Sequence, residues 1–192
     1  KVSKIEKSYG TSKVLRGIDF RMEEGERIAI MGPSGSGKST LLNCIGGIDR
    51  PDNGEILFED LSLTGLTEQE LCELRRKKIS TIFQFFHLLP TLTTRENIEF
   101  PMLLNSIGKS ERNEKVDELL NAVKIQHRAC AFPHELSGGE KQRVAIARSL
   151  SMQPKLILAD EPTGNLDSKN TDSVLELIEN LSSQHGIAML LV

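Results

Sequence analysis

An α/β fold with a mostly parallel core sheet, an amino-terminal antiparallel β part and an inserted helical subdomain is what this sequence predicts. Three observations carry it. A glycine-rich turn stands between an apolar run and a helical pattern, short apolar runs alternate with helical stretches, and one long helical stretch is set between two such runs.

The first 31 residues mix short β-prone runs (14–15, 18–20 and 27–31) with turn signals at Tyr9-Gly10 and Glu24-Gly25, the pattern of a small sheet leading into a core strand. A helix carrying Leu41, Leu42 and Ile45 should stop at Gly46-Gly47, and Pro51-Asp52-Asn53-Gly54 should turn the chain into a strand over 55–58. Thr67 followed by Glu70 has the spacing of a capping box for a helix ending near Lys78, and 79–83 reads as a buried strand. From Thr94 to Met152 the pattern is helical, with Val116, Leu119, Leu120 and Val123 on one face. The runs 156–159 and 186–192, separated by helical 170–182, read as buried parallel strands joined by a right-handed crossover.

Bulk properties narrow the field. A chain of 192 residues suits one domain with an insertion. The formal net charge of −3, with both signs interleaved, lacks the basic footprint of a dedicated nucleic-acid binder. The three cysteines, Cys44, Cys72 and Cys130, have no metal-ligand spacing and read as free packing thiols of a reducing compartment. No apolar stretch approaches the ~20 residues a membrane span needs and no signal peptide is visible, so membrane work implies a partner.

Gly32, Pro33, Ser34, Gly35, Ser36, Gly37, Lys38, Ser39 and Thr40 form a phosphate cradle directly after an apolar run. The glycines let successive N–H groups turn inward, and the following helix aims its positive dipole end at the same anion. Lys38 can reach the β- and γ-phosphates and the Ser39 hydroxyl can ligate Mg²⁺, so the chain should bind a nucleoside triphosphate. Residues 156–159 deliver Asp160 and Glu161 to a strand's carboxyl end, where such sheets place their ligands. Asp160 can hold the Mg²⁺ shell while Glu161 polarises an attacking water. Leu136-Ser137-Gly138-Gly139-Glu140 opens the helical stretch 141–150 and makes a second anion site at a helix start.

Taken together, these residues resemble the nucleotide-binding domain of ABC transporters over nearly the whole chain. Walker A lies at 32–40, the Q-loop at Gln84, the signature at 136–140, Walker B at 156–161 and the D-loop at Asn165-Leu166-Asp167. The resemblance implies a P-loop NTPase of the ABC type, with core 1–84 and 154–192 and helical subdomain 85–153. It implies ATP and Mg²⁺ as ligands, Tyr9 stacking on adenine, Gln84 sensing Mg²⁺ and the attacking water, and Glu161 as general base. It further implies two ATP molecules between head-to-tail copies of a homodimer, with Ser137, Gly138 and Gly139 of one copy at the γ-phosphate held by the other and Asp167 supporting that contact. The switch histidine of the family falls just beyond Val192, so the sequence as given should bind ATP and hydrolyse it weakly; His185 precedes the last strand and cannot replace it. Glu140 stands where many members carry glutamine.

Gly46-Gly47-Ile48-Asp49, the apolar Phe85-Phe86-His87-Leu88-Leu89-Pro90 with Asn97 and Pro101, His127-Arg128, and the segments 135–148 and 159–167 are similar to the LolD/MacB-type branch. That similarity implies an ATPase on the cytoplasmic face of the inner membrane, peripheral, working against integral permease subunits of the LolC/LolE kind in lipoprotein release. MacB-type export and FtsE-like cell division are the alternatives within the same architecture. An ABC-type ATPase acting on DNA would need a long coiled-coil insertion, whereas only about fifty residues without sustained heptads separate Gln84 from Ser137.

Overall fold

The computed structural model describes residues 1–166 and 168–192, without the side chains of 168–170. The chain begins with a hairpin, β1 (Val2–Tyr9) and β2 (Ser12–Phe20), whose antiparallel pairing is extended by β4 (Asn53–Phe58) and the short β5 (Leu61–Ser62) in the order β2-β1-β4-β5. The second sheet is wholly parallel, ordered β3-β8-β7-β6, from β3 (Arg27–Ala29), β6 (Ile79–Ile82), β7 (Leu156–Ala159) and β8 (Ala188–Leu191). Among the described residues six α-helices join them: α1 (Lys38–Ile45), α2 (Glu68–Lys77), α3 (Thr94–Leu104), α4 (Lys109–Ala122), α5 (Gly138–Leu150) and α6 (Ser168–Gln184).

Two apolar cores flank the parallel sheet. One lies under α3 to α6 and includes Ile82, Ile98, Leu120, Ile146 and Ile157; the other joins α1, α2 and the antiparallel sheet through Ile5, Leu15, Leu42, Ile56 and Leu158. Adjacent β7 residues supply both, since Ile157 faces the first core and Leu158 the second. All four β7 residues are buried, as an apolar run in a parallel sheet covered on both faces must be.

Local signals explain three of the helix starts. Thr67 and Glu70 form the expected capping box, with Glu70 N–H donating to Thr67 Oγ1 at 3.3 Å and Thr67 N–H donating to Glu70 Oε2 at 2.8 Å. Thr93 with Glu96 and Ser137 with Glu140 do the same for α3 and α5. Several expected boundaries move. The core strand before the phosphate loop ends at Ala29, leaving Met31 exposed; β6 stops at Ile82, and β8 occupies only 188–191. Asn53-Gly54 is no turn but the start of β4. Gly54, at φ +93°, lets β4 pass so close to β1 that a Cβ would lie 2.4 Å from the Lys4 carbonyl oxygen. Of the cysteines only Cys44 is buried, its thiol pushed up to about 11 chiefly by desolvation; Cys72 and Cys130 are exposed, so packing is not their role.

The loop between β6 and α3 is held by one buried amide. Asn97 is 0% exposed; its Nδ2 donates to the carbonyls of Leu89 (3.1 Å), Leu92 (2.9 Å) and Thr93 (3.0 Å), and its Oδ1 accepts from Leu89 N–H (2.8 Å). Arg148 reaches across to the carbonyls of Phe86 (2.8 Å) and His87 (2.6 Å), fixing two residues at positive φ. Asn97→Asp keeps the shape and turns a carboxylate on three carbonyl oxygens, so urea unfolding should show a loss of about 2–3 kcal/mol; an unchanged midpoint would show that this amide does not hold the loop.

Candidate functional site

The phosphate loop follows β3, and its geometry depends on glycine. Gly35 and Gly37 have φ of +78° and +94°, and a Cβ on Gly37 would meet Val14 Cγ1 at 2.9 Å. Gly37 is the N-cap of α1, so the free N–H groups of the first turn open toward the loop. Lys38 folds its ammonium onto the loop, donating to the carbonyls of Gly32 (3.0 Å) and Pro33 (3.2 Å). One residue on, Ser39 Oγ donates to Asp160 Oδ1 at 2.9 Å, joining the start of α1 to the end of β7 across the sheet edge. Sequence reasoning placed Ser39 and Asp160 in one metal shell, and the fold brings these two hard oxygen donors together.

Register does the rest. In the parallel β6–β7 pair Ile82 lies opposite Ala159, so Gln84 and Glu161, each two residues further on, leave the sheet at the same edge. Asp160 N–H donates to the Ile82 carbonyl at 2.9 Å and Glu161 N–H to the Val192 carbonyl at 3.1 Å, continuing the ladder past the strand ends. Glu161 is exposed and left-handed, at φ +43°, a conformation that costs a non-glycine residue about 1–2 kcal/mol. The Glu161 carbonyl accepts Gly164 N–H at 3.0 Å, closing a tight turn. A Cβ on Gly164 would lie 2.7 Å from Gln84 Nε2 and 3.3 Å from Glu161 Oε2, so the two side chains converge on this glycine. Asn165 Nδ2 donates to the Gln84 carbonyl at 2.8 Å and pins the same corner.

The Ser137 turn caps α5, which includes both glycines of the motif. Glu140 is engaged twice, receiving Ser137 N–H at 2.8 Å and Arg128 Nε at 2.9 Å. Hydrogen bonding by the Ser137 backbone, helped by Arg128, holds its carboxyl below the usual range. Gly139 is buried while Ser137 is exposed, and a Cβ on Gly138 would touch Leu166 Cδ2 at 3.6 Å. The turn therefore rests on the segment that holds Gln84. Asp167 lies outside the described residues.

Tyr9 stands at the end of β1 with half its surface exposed. Its hydroxyl donates to Asp49 Oδ2, and the Lys7 ammonium lies 5.3 Å from the ring centroid. The Asp49 acceptor, and then burial, hold the phenol above the usual tyrosine range.

Known proteins share this arrangement. The profile of the ABC transporter family matches residues 15–164. The chain belongs to the ABC transporter family. The ATP-binding cassette MJ0796, solved as a dimer in a post-hydrolysis state bound to ADP and Pi, is similar with a TM-score of 0.91 and 38% identity over 100% of this chain and 86% of that one. Another dimeric structure of MJ0796, described as a bacterial ABC transporter cassette, has a TM-score of 0.90 at 38% identity with the same coverage. CbiO1 from Clostridium perfringens, part of the transporter complex cbiONQ, has a TM-score of 0.90 at 30% identity over 99% of this chain and 76% of that one. This cassette is thus an ATP-binding, ATP-hydrolysing domain of the ABC type. Among its described residues no helix is long and apolar enough to cross a membrane.

Motif reading missed three contacts in this cassette. Gly164 was a letter in a similar segment and is the floor between Gln84 and Glu161; Asn165 pins Gln84; Asp49 and Lys7 surround Tyr9. Tertiary register joins Gln84 to Gly164 and Asn165, and Asp49 to Tyr9, so spacing along the chain could not have revealed those; Lys7 and Tyr9 do share a strand face two residues apart, but a period-2 pair alone does not mark a site. Gly164→Ala should displace the Gln84 carboxamide, a flexible side-chain end, and lower ATP turnover about tenfold or more with little change in melting temperature. Turnover equal to that of the unsubstituted cassette would remove Gly164 from the site.

Proposed function

We propose that this cassette works as a head-to-tail homodimer beneath integral membrane permease subunits, and that its ATP hydrolysis drives lipoprotein release in the manner of the LolD-type branch. The observation that carries the catalytic part is the junction of Ser39 with Asp160 beside the Gln84–Gly164–Glu161 corner. Ser39 and Asp160 would hold Mg²⁺, with Gln84 close by, because a hydroxyl and a carboxylate at one edge are the hard oxygen donors that ion takes. When bound, it neutralises charge on the β- and γ-phosphate oxygens.

The chain's own residues then divide the work. Backbone N–H groups of 34–40 surround the phosphates, and the Lys38 ammonium leaves its carbonyl partners for the γ-phosphate. Glu161 takes the proton of the attacking water at its carboxylate, and Gln84 orients that water from the other side of Gly164. Tyr9 offers a face for adenine. Ser137, Gly138 and Gly139 complete the site of the second copy, with Asp167 at that contact; the dimeric MJ0796 structures support two-copy assembly. The core is 1–84 and 154–192, with 85–153 the helical subdomain.

A membrane partner has a surface to meet. Phe85 is 68% exposed, and Leu103 and Leu104 are exposed on α3. Arg148, which holds the Phe86 and His87 carbonyls, also lines a cavity of about 310 Å³ together with Arg75, Phe100 and Leu104. An apolar floor with cationic walls suits a short amphipathic segment of a permease on the cytoplasmic face of the membrane.

Glu161→Gln is the test of the chemistry. It keeps shape and removes the base, so ATP binding should persist while hydrolysis falls about 10²–10⁴-fold; unchanged turnover would take Glu161 out of the mechanism. For the cargo, the cassette purified from its native membranes should bring a permease pair with lipoprotein-handling periplasmic domains. A MacB-type exporter or a partner that recruits cell-wall hydrolases would overturn the lipoprotein assignment.

A further inference from the structure

Around Tyr9 the structure carries more than an exposed ring. The loop leaving α1 is folded tightly, with the N–H groups of Ile48 (2.9 Å) and Asp49 (3.1 Å) both donating to the Asn43 carbonyl. This places the Asp49 carboxylate against β1. Its Oδ2 accepts the Tyr9 hydroxyl, and its Oδ1 takes the Lys7 ammonium at 2.8 Å and Arg50 N–H at 2.8 Å. Lys7 in turn donates to the Arg50 carbonyl at 2.6 Å and covers one face of the Tyr9 ring. Burial works against the Asp49 charge, but the hydrogen bonds from Lys7 and Tyr9 outweigh it and hold the carboxyl below the usual range.

We propose that Asp49 is a positioning residue for nucleobase recognition: it fixes the Tyr9 ring at one distance and one tilt from the phosphate loop, with Lys7 closing the ring's far face. The inference rests on the reading of Tyr9 as the adenine platform. α1 is the ruler. Its amino end is the phosphate cradle, its carboxyl end leads into the loop that holds Asp49, and at 1.5 Å per residue its eight residues span about 12 Å. A phenol on a hairpin edge beside Gly10 would otherwise sample several rotamers, and each ligand would have to order it on binding. Tied to Asp49 at one end and stacked on an ammonium, the ring is ordered before the nucleotide arrives. One face is left for a planar base, which sets base stacking apart from phosphate binding.

The chain has one tyrosine and no tryptophan, so tyrosine emission reports Tyr9 alone. In the unsubstituted cassette ATP should quench this emission and tripolyphosphate, which has no base, should not. Asp49→Ala and Tyr9→Phe should each weaken ATP binding about fivefold by calorimetry, the lower end of what a base–aromatic stack contributes. The double variant should lose no more than either single one, because both remove one contact. Tripolyphosphate affinity should stay unchanged throughout. If Asp49→Ala binds ATP normally while Tyr9→Ala is weakened, the positioning role falls and the platform stands. If Tyr9→Ala also binds ATP normally, the platform reading falls and takes this inference with it. Equal weakening toward tripolyphosphate in Asp49→Ala would place Asp49 in the support of the phosphate loop instead, against the proposal.

Discussion

The parallel register of β6 and β7 is the constraint on which this site depends. With Ile82 opposite Ala159, the chain leaves two neighbouring strands at one level, and Gln84 and Glu161 emerge side by side. A slip of one residue would turn Ile157 and Leu158 to the wrong cores, exchanging the two apolar faces of a strand buried on both. Packing that stabilises the sheet therefore also aligns the chemistry, and no separate device is needed to bring two residues 77 positions apart in sequence into one corner.

A second tie runs across the edge. The Ser39–Asp160 contact joins the helix that opens at the phosphate loop to the strand that carries the acids, so the cradle and the acid pair are tied directly. The Gln84 corner is braced differently, by Asn165 and by the loop that Asn97 and Arg148 hold. That loop also bears the exposed Phe85. The apolar surface at Phe85 is thus one residue along the chain from Gln84. The Gln84 corner and the loop that bears Phe85 are continuous, held by neighbouring braces.

Much of this was legible in the sequence because the elements near the site obey local rules. The strand 156–159, the Thr67–Glu70 box and the α4 face were readable from period and spacing alone. β1 was not, and the reason is geometric. Its buried Val2 and Ile5 are three apart instead of two, because the pairing with β2 is shifted between them and Lys4 sits at φ +50°. Likewise Leu15 and Ile18 belong to one strand interrupted at Gly17, φ +83°, which breaks the alternation and makes one strand look like two short runs. Bulges erase the period-2 signal while leaving the strands paired on either side, so an antiparallel sheet of this kind hides from pattern reading better than a parallel one.

The two acids at the end of β7 show how one backbone gives adjacent residues different surroundings. Asp160 continues the strand's ladder and turns its carboxylate to Ser39, where it is committed to a hydroxyl. Glu161 breaks the strand, adopting a left-handed conformation that a branched or bulky residue would resist. The cost is met by two backbone hydrogen bonds, to Val192 and from Gly164, and the return of the chain at Gly164 leaves the Glu161 carboxylate free of any charged neighbour among the described contacts. The sharp change of direction between adjacent residues gives the two acids different surroundings, and Gly164 is the residue whose lack of a Cβ makes that turn possible beside Gln84.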